Sequence, residues 1–596
     1  MKGVYEYYTD NVNTYTKRLD YLRKRIYWMG TARLIVVALA FLSLWIARYE
    51  NGGLLALITL AFILLFVVLM WLHNKLDGQR QDMEIMIQLN KDELKALDYD
   101  FSAFDGAAEK SSGEHPFSLD LDIFGNHSLF QSINRTVTFI GREKLADWFL
   151  HPLTDKREIL RRQEAVKELA HLSALRQEFY VMGQIALSDK SKNISNLFKA
   201  KTVFSSSILW EFLVWAIPFG WIALGVAYGL GWISGAALSL YLVVSIFIAY
   251  GKAGAVSHLH ASVNKMESLF SSYYKLLERI ENENFQSEEL REIQGQLGKG
   301  TAERASIVLK RLARYISGLD QRFSLAGIIC NILYLRDTRH AILLEHWEQD
   351  YVEMFPIWLD ALSRFDALSS LGGFAFNHPN AVYPTISETY FQMEGKGLAH
   401  PLLNRNICVR NDISICKAPL FHIITGANMA GKSTYLRTVG VNYLLACIGV
   451  PVCAESLIIS PANLVTSLRT SDSLAGNESY FFAELKRLKM IIDRLKDGER
   501  LFIILDEILK GTNSIDKQKG SLALIRQLIT YESCGIIATH DLVLGNLADE
   551  FSAQIKNFCF EADIKDEGLS FSYKLREGIA QNMNACFLMR KMGITI

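Results

Sequence analysis

The chain has 596 residues, of which 50% are hydrophobic and 21% are charged. This length and composition exclude a disordered or fibrous protein and allow several folded domains. Lysine and arginine (63) balance aspartate and glutamate (63), so no overall positive charge indicates a nucleic-acid partner. All eight cysteines lie from Cys330 onward, without C-x-x-C spacing, which predicts reduced thiols and neither disulfides nor structural zinc.

Two apolar segments follow a basic N-terminal stretch, residues 1–26. Residues 27–47 are apolar except for Arg33, which lies near one end, and residues 52–72 carry no charge. About 20 apolar residues in a helix cross a bilayer core of about 30 Å. We therefore predict a first transmembrane hairpin over residues 27–72.

A second apolar stretch occupies residues 208–251. No residue from Phe212 to Gly251 is charged, which is about twice the length that one crossing needs. Two glycines in the segment Tyr228–Trp232 are typical of a turn. We therefore predict a second transmembrane hairpin, and four transmembrane helices in all.

Basic residues predict the orientation of these helices. The first 33 residues hold more basic than acidic residues, whereas the hairpin tips hold a single arginine, Arg48. Because basic residues stay in the cytoplasm, we expect a multi-pass inner-membrane protein with both termini and the C-terminal domain in the cytoplasm. A secretory signal peptide is disfavoured because a second apolar segment follows without a cleavage site. Buried core helices are disfavoured because residues 52–72 lack a polar face.

The polar segments between and after the hairpins have helical periodicity. Residues 73–207 and 252–378 alternate charged and apolar positions in the helical pattern. The charged stretch Glu281–Arg314 predicts a long solvated arm. From residue 379 onward, short β-branched runs alternate with helical segments, which is typical of an α/β sheet.

A glycine-rich loop follows the apolar run Phe421–Thr425 and precedes a helical pattern. Its spacing is G-x-x-x-x-G-K-[ST], in which backbone N–H groups and the helix N-terminus surround phosphates. In this arrangement Lys432 reaches the β- and γ-phosphates of ATP and Ser433 binds Mg²⁺. The predicted ATP-binding residues are Gly426, Ala427, Asn428, Met429, Ala430, Gly431, Lys432, Ser433 and Thr434.

Acidic and histidine side chains end two further apolar runs. Asp506 and Glu507 follow Leu501–Leu505, and His540 follows the run 535–539. Ligands bind at the carboxyl ends of parallel strands, so we predict that Asp506 binds Mg²⁺, Glu507 is the general base and His540 lies near the γ-phosphate. The alternatives are an acid pair that only caps a strand end and a histidine without a catalytic role.

These residues together resemble the MutS family of DNA mismatch repair ATPases, within the wider ABC-type class. The resemblance extends over ordered segments of the C-terminal domain and over two helical segments before it. The matching segments are Asn411–Asp412, Thr425–Tyr435, Asp472–Glu484, Leu505–Ile508, Gly511–Ser514, Ala538–His540, Tyr573–Ala580, Ser132–Leu153 and Phe365–Leu371.

The resemblance implies a fold class and a domain organisation. We expect an α/β P-loop ATPase domain at the C-terminus, preceded by a mostly α-helical core and lever region that carries the two transmembrane hairpins. The expected domains are a basic cytoplasmic N-terminus (1–26), hairpin 1 (27–72), the first part of the helical core (73–207), hairpin 2 (208–251), the lever and second part of the core (252–378) and the ATPase domain (379–596).

The resemblance also implies a homodimer, since the family's signature serine contacts the ATP of the opposite subunit. Ser479 occupies that position, so we expect it to bind ATP in trans. No segment resembles the mismatch-reading domain with its F-x-E wedge, because the F-x-E at Phe482–Glu484 lies in the signature segment. Where the family often places an aromatic residue against adenine, this chain has Cys408-Val409-Arg410.

Two functions of different classes remain open at this stage. The first is a membrane-anchored ATPase that closes as a dimer and is coupled to DNA binding. The second is an ATP-driven conformational machine that acts on the membrane or on a protein partner without DNA. A transporter is disfavoured because the predicted membrane helices lack charged residues to mark a pathway.

Overall fold

The structure is a computed structural model. It describes residues 2–46, 52–187, 204–205, 207–263, 266–300, 302–427, 430–469, 480–510, 512–565 and 568–581. Its contacts divide the chain into two compact units. The first consists of Met1–Arg135, Leu145–Ser173 and Ser369–Ile596, and the second of Thr136–Lys144 and Ala174–Leu368.

The first two thirds of the described chain are helical. In chain order the helices are α1 (Lys2–Ile46), α2 (Gly52–Leu97), α3 (Leu129–Ile133), α4 (Phe139–Leu150), α5 (Lys156–His171), α6 (Ser173–Leu187), α7 (Ile208–Gly229), α8 (Gly235–Tyr250), α9 (Ala253–Val263), α10 (Glu267–Glu281), α11 (Glu288–Gly298), α12 (Ala305–Asp320), α13 (Leu325–Tyr334), α14 (Arg336–Tyr351) and α15 (Phe355–Asn377).

Helices α1 and α2 of the first unit pack along each other and differ sharply between their two halves. In the apolar halves large side chains face outward, including Phe41 and Trp45 of α1 and Trp71 of α2, each more than 60% exposed. A soluble helix buries such a stripe against a core. The apolar halves therefore have the surface of membrane helices.

The polar halves of α1 and α2 are joined to the C-terminal end of α15 by buried polar side chains. The Tyr8 hydroxyl donates to Asn377 Oδ1 (2.7 Å), and Asn377 Nδ2 donates to Glu93 Oε2 (2.9 Å). Arg135 Nε donates to Glu93 Oε1 at 2.6 Å, and both of these side chains are less than 10% exposed. We call Tyr8, Glu93, Arg135 and Asn377 the hairpin-base network. Every member of the network therefore has a hydrogen-bond partner, as buried polar side chains require.

Substitution Arg135→Ala tests the hairpin-base network. It leaves the Glu93 carboxylate buried without its cation, which costs roughly 3–5 kcal/mol of folding free energy. We expect a lower denaturant midpoint for the detergent-solubilised chain. In the control Arg526→Ala, which removes an ion pair with Glu550 whose side chains are about half exposed, the expected cost is about 0–1 kcal/mol. Equal midpoints for the two variants would contradict the structural role of the network.

The C-terminal part of the first unit is built from strands and helices. In chain order these are β1 (Thr385–Ile386), β2 (Met393–Leu398), β3 (Asn411–Ile415), β4 (Leu420–Gly426), α16 (Lys432–Ile448), β5 (Ser456–Ile459), β6 (Asn463–Ser467), α17 (Tyr480–Lys496), β7 (Leu501–Asp506), α18 (Ser514–Thr530), β8 (Cys534–Thr539), α19 (Leu547–Glu550), β9 (Ile555–Phe560), β10 (Ala562–Lys565), β11 (Gly568–Phe571) and β12 (Arg576–Glu577).

Six strands form the central sheet, in the order β12-β9-β4-β8-β7-β6. All neighbours are parallel except β12, which is antiparallel to β9. Ile503 and Leu505 of β7 belong to a hydrophobic cluster with residues of α17 and α18, whereas Ile504 lies beside Gly440 of α16. Since alternate strand residues point to opposite faces, helices cover both faces, which explains the continuous apolar runs of the sequence.

Two smaller sheets complete this unit. The first has four strands in the order β1-β5-β2-β3, in which β1 pairs parallel to β5 and the other pairs are antiparallel. The second is the antiparallel pair β10-β11. The C-terminal part is therefore a mixed α/β structure, as the sequence predicts.

Within the described ranges, three helices are long and apolar enough to cross a membrane: α1, α2 and α7. The prediction of four finds less support, because α8 has only 16 residues. It continues into α9 after a bend of 47°, and counting this bent pair as one span gives four. The break follows Gly251, where the predicted apolar stretch ends.

The prediction of a long solvated arm at Glu281–Arg314 is wrong. In the second unit this stretch forms the end of α10, then α11 and the first part of α12, which are separate amphipathic helices. Their buried residues include Leu290, Ile293, Leu297, Val308, Leu309 and Leu312. The charges lie on the outer face of helices whose apolar stripes pack inward.

Candidate functional site

The predicted site residues meet at one edge of the central sheet. Strands β4, β8 and β7 are consecutive neighbours and run parallel, so their carboxyl ends lie side by side. The glycine-rich loop follows β4, Asp506 ends β7 and His540 follows β8. This edge is where an open parallel sheet binds its ligands.

The loop between β4 and α16 depends on two glycines with positive φ. Gly426 has φ 150° and Gly431, the residue before α16, has φ 105°. A Cβ on Gly426 would lie 2.5 Å from the Phe560 carbonyl oxygen, so the backbone needs glycine there. The predicted residues Asn428 and Met429 lie outside the described residues.

Lys432 begins α16 and is only 5% exposed. Its Nζ donates to the carbonyl oxygens of Gly426 (2.5 Å) and Ala427 (3.0 Å). Burial lowers the pKa of Lys432, and the nearby carboxylates Asp506 and Glu507 oppose this shift. The ammonium group is thus held in the mouth of the glycine-rich loop.

Ser433 and Asp506 are in direct contact, with the Ser433 hydroxyl donating to Asp506 Oδ2 at 2.6 Å. Burial raises the pKa of Asp506, and the hydrogen bond from Ser433 opposes this shift. The described residues contain no group of three or more His, Cys, Asp or Glu side chains that could hold a metal alone. Two oxygen donors suit Mg²⁺, which usually takes one or two protein ligands beside phosphates and water.

Glu507 has an unusual backbone conformation, with φ 52°. Its N–H donates to the Ala538 carbonyl oxygen of β8 (2.9 Å). Its Oε1 lies 3.2 Å from His540 Nδ1, and its Oε2 lies 3.4 Å from Lys510 Nζ. Burial alone raises the pKa of Glu507, but Lys510 and His540 outweigh it and hold the pKa below the usual range. Positive φ in a glutamate is strained and often found at functional sites.

Glu484 of α17 has a position that sequence reasoning missed. It is 3% exposed, and its carboxylate accepts hydrogen bonds from the backbone N–H of Leu509 (2.5 Å) and Lys510 (2.9 Å). These residues lie two and three positions after Glu507, so Glu484 fixes the turn after β7. The sequence signal that could have identified Glu484 is its place as an acidic residue in the segment that resembles the family signature.

A cavity of about 470 Å³ opens beside the loop. Its polar lining residues include Lys432, Ser433, Thr434 and Glu507, and we call its apolar lining residues the apolar side of the cavity. The apolar side includes Leu398, Leu403, Ile407, Val409 and Tyr573. This volume and division suit a ligand that is anionic at one end and flat and apolar at the other.

Two separate segments form the apolar side of the cavity. Asn411 Nδ2 donates to the Tyr573 carbonyl oxygen (3.0 Å), and the Leu575 N–H donates to Asn411 Oδ1 (2.9 Å). In the sequence, Asn411 and the segment from Tyr573 are only matching motifs, and no pattern indicates a role for Leu403 or Ile407. The predicted trans residue Ser479 lies outside the described residues.

Two sequence families match the chain. MutS domain III matches residues 117–372, and MutS domain V matches residues 422–592. Among curated proteins, the DNA mismatch repair protein MutS of Thermotoga sp. (strain RQ2) is 32% identical over 39% of this chain and 29% of its own length.

Two longer matches cover most of the chain. The DNA mismatch repair protein MSH3 of Vanderwaltozyma polyspora is 25% identical over 83% of this chain and 54% of its own length. The MutS of Persephonella marina is 25% identical over 79% of this chain and 57% of its own length. The chain therefore spans little more than half of these relatives. Since the two MutS domains cover most of the chain, it belongs to the MutS family.

Proposed function

We propose that this chain is a membrane-anchored ATPase that binds ATP with Mg²⁺, hydrolyses it at a homodimer interface and couples the cycle to DNA binding. One observation carries the proposal: Lys432, the Ser433–Asp506 pair and the Glu507–His540 pair meet at the carboxyl edge of one parallel sheet. Hydrolysis of ATP by the purified full chain, dependent on Mg²⁺ and stopped by EDTA, is the direct test.

Lys432 and the glycine-rich loop would bind the phosphates. The Lys432 ammonium now donates to two loop carbonyl oxygens, and phosphate oxygens are stronger acceptors because they carry charge. Backbone N–H groups at the start of α16 and the helix dipole add to the attraction. Ser433 and Asp506 would hold Mg²⁺, which neutralises phosphate charge when bound.

Glu507 would act as the general base. Its lowered pKa keeps it ionised at neutral pH, so one carboxylate oxygen can accept a proton from the water that attacks the γ-phosphorus. His540 lies against the other side of the same carboxylate. His540 would therefore orient the Glu507 carboxylate and stabilise its negative charge. In the hydrolysis step, the bond between the γ-phosphorus and the bridging oxygen breaks.

The apolar side of the cavity would receive the adenine. Leu403, Ile407 and Val409 supply aliphatic surface and Tyr573 supplies a ring, which is the combination that binds flat heterocycles. The segment between Leu398 and Asn411 would therefore contact the adenine base through aliphatic side chains, without the aromatic residue that the family often has there.

Mixing of two inactive variants tests the homodimer. Lys432→Ala removes the phosphate contact of one subunit, and Ser479→Ala removes the trans contact that the family resemblance assigns. Because a mixed dimer keeps one intact composite site, we expect ATP hydrolysis to return to about a quarter of the wild-type rate per chain for random pairing. The control is a mixture of wild-type chains with chains that carry both Lys432→Ala and Ser479→Ala. No recovery would contradict a site shared between subunits.

Membrane anchoring rests on α1, α2, α7 and α8, whose large apolar side chains face outward. Helix α9 continues α8 after the bend, but its residues Val256, Leu259 and Val263 are buried. The basic residues before the first apolar segment favour cytoplasmic termini and a cytoplasmic ATPase domain. Recovery of the chain in the membrane fraction after carbonate extraction supports this location, whereas release into the supernatant contradicts it.

The named relatives support the DNA part of the proposal, because both MutS and MSH3 are DNA mismatch repair proteins. DNA affinity depends mainly on neutralised phosphates and falls as salt rises. We expect the reconstituted chain to retain duplex or branched DNA at about 50 mM salt and to release it at about 200 mM. No retention at low salt would remove DNA from the proposal.

The hairpin-base network favours a second candidate, an ATP-driven machine that acts on the membrane or a protein partner. It ties α1 and α2 to α15 in the same unit as the ATP site. ATP closure of the dimer would then move the hairpin. We expect ATP to change the labelling rate of a probe at Ile46 in reconstituted protein; an unchanged rate contradicts this candidate.

A further inference from the structure

Helix α13 of the second unit has its polarity reversed relative to a soluble helix. Its residues Leu325, Ile328, Ile329 and Leu333 are exposed, Leu325 at 76%. Its buried residues are Gly327 and Asn331. A helix in water turns its apolar stripe inward and its polar residues outward. The opposite arrangement indicates that water is not the medium around α13.

The buried face of α13 makes close contacts with the segments that directly flank the helix. A Cβ on Gly327 would lie 2.2 Å from the Gln321 carbonyl oxygen, so only glycine allows this approach. The Asn331 side-chain oxygen accepts from the Asp337 N–H at 3.1 Å. These contacts fix the rotation of α13 about its axis, and therefore the outward direction of its apolar residues.

The exposed face continues the surface of the apolar helices of the same unit. Helix α13 packs against both α7 and α8, whose outward side chains include Phe219 and Phe247. Phe323, just before α13, is 76% exposed. Contiguous apolar surface of this kind marks a membrane or protein contact, and here it adjoins helices proposed to lie in the bilayer.

Length excludes a crossing by α13. Its ten residues span about 15 Å, about half of the bilayer core. Apolar segments of this length that face lipid either lie in the membrane interface or form re-entrant segments, which enter and leave the bilayer on the same side. Helix α13 therefore requires a shallow position.

Cationic side chains stand where the headgroups of such a bilayer would be. Arg336 and Arg339 lie in the first turn of α14, one residue after α13 ends, and the Arg339 guanidinium lies 5.2 Å from the ring centre of Trp215. His346 of α14 lies 3.4 Å from Glu211. Trp215 and Glu211 belong to the first two turns of α7, so α14 contacts the end of α7 rather than its middle. Arginine and tryptophan at this level are typical of the membrane interface.

We propose that α13 is an interfacial membrane helix, with Leu325, Ile328, Ile329 and Leu333 among the acyl chains and Arg336 and Arg339 at the headgroups. This inference rests on the proposed membrane anchoring and adds a third point of membrane contact to the second unit, beside α7 and α8. The occupant of the exposed face is the lipid bilayer.

Photocrosslinking of the full-length chain in lipid nanodiscs tests this position. The substitution Ile329→p-benzoylphenylalanine places a photoreactive group on the exposed face of α13. The same group at Phe219 in α7 is the control for lipid contact, and at Arg291, which is exposed on α11, the control for water. Mass spectrometry identifies the adduct after irradiation, and an unchanged melting temperature shows that each variant is folded.

The expected result is a lipid adduct at positions 329 and 219 and none at 291. A lipid adduct at 219 alone overturns the inference and leaves the membrane proposal intact. Lipid adducts at neither position contradict membrane anchoring itself. A crosslink from position 329 to a second chain overturns the inference and assigns the exposed face of α13 to a contact between copies.

Discussion

Replacing Lys432 with alanine is expected to abolish ATP binding and to lower ATP hydrolysis by roughly 10²- to 10³-fold or more. The Lys432 ammonium is the buried cation in the mouth of the glycine-rich loop, where low exposure strengthens its attraction for phosphate. Fluorescent ATP analogue binding and phosphate release measure the two effects separately.

Lys489→Ala is the matched control for this variant. Lys489 lies on α17 of the same unit, where it is 76% exposed and paired with Asp493, so its loss should leave binding and turnover unchanged. ATP binding by Lys432→Ala with wild-type affinity would place the phosphates elsewhere and remove the central assignment.

Replacing Glu507 with glutamine is expected to separate binding from hydrolysis. The amide keeps the shape of the carboxylate but cannot accept the proton of water, which costs about 10²- to 10⁴-fold in turnover. ATP binding should persist because Lys432, Ser433 and Asp506 are unchanged. We therefore expect the variant to accumulate as an ATP-bound closed dimer, visible as a larger species by size-exclusion chromatography in ATP.

Glu550→Gln provides the control, because Glu550 is about half exposed and pairs only with Arg526 among the ion partners described. It should hydrolyse ATP at the wild-type rate. Normal turnover by Glu507→Gln would show that another group is the base. A monomeric Glu507→Gln protein in ATP would contradict closure as a dimer while leaving the base assignment intact.

Sequence pattern was sufficient for the central strands of the candidate site. The runs before Gly426, Asp506 and His540 are β4, β7 and β8, because strands covered on both faces leave uninterrupted apolar runs. Polar residues directly after such runs then mark the ligand edge. The roles of these residues in catalysis stay predictions, and the predicted domain boundaries stay predictions as well.

Long-range contacts were beyond the reach of the sequence. The apolar side of the cavity joins Leu403 and Ile407 to Tyr573 through Asn411, across more than a hundred residues of chain. Glu484 fixes the turn after Glu507 through two backbone N–H groups. Neither contact leaves a local pattern, since each depends on how distant segments pack.

Charge content was misleading for the segment around α11. A high density of Glu, Arg and Gln suggested a solvated arm, but the apolar residues between them recur at helical spacing and are buried. Helix α13 is the opposite case, because its apolar residues are exposed and its buried residues are Gly327 and Asn331.

The continuity of α1 and α2 from their polar halves into their apolar halves has a mechanical consequence under the proposed membrane anchoring. Each helix has about 45 residues without a break and so extends about 68 Å. A rigid rod of that length that tilts by about 5° at its base shifts its far end by about 6 Å. In the proposed membrane anchoring, a small tilt at the polar ends of α1 and α2 would thus be enlarged to a shift of this size at their apolar ends.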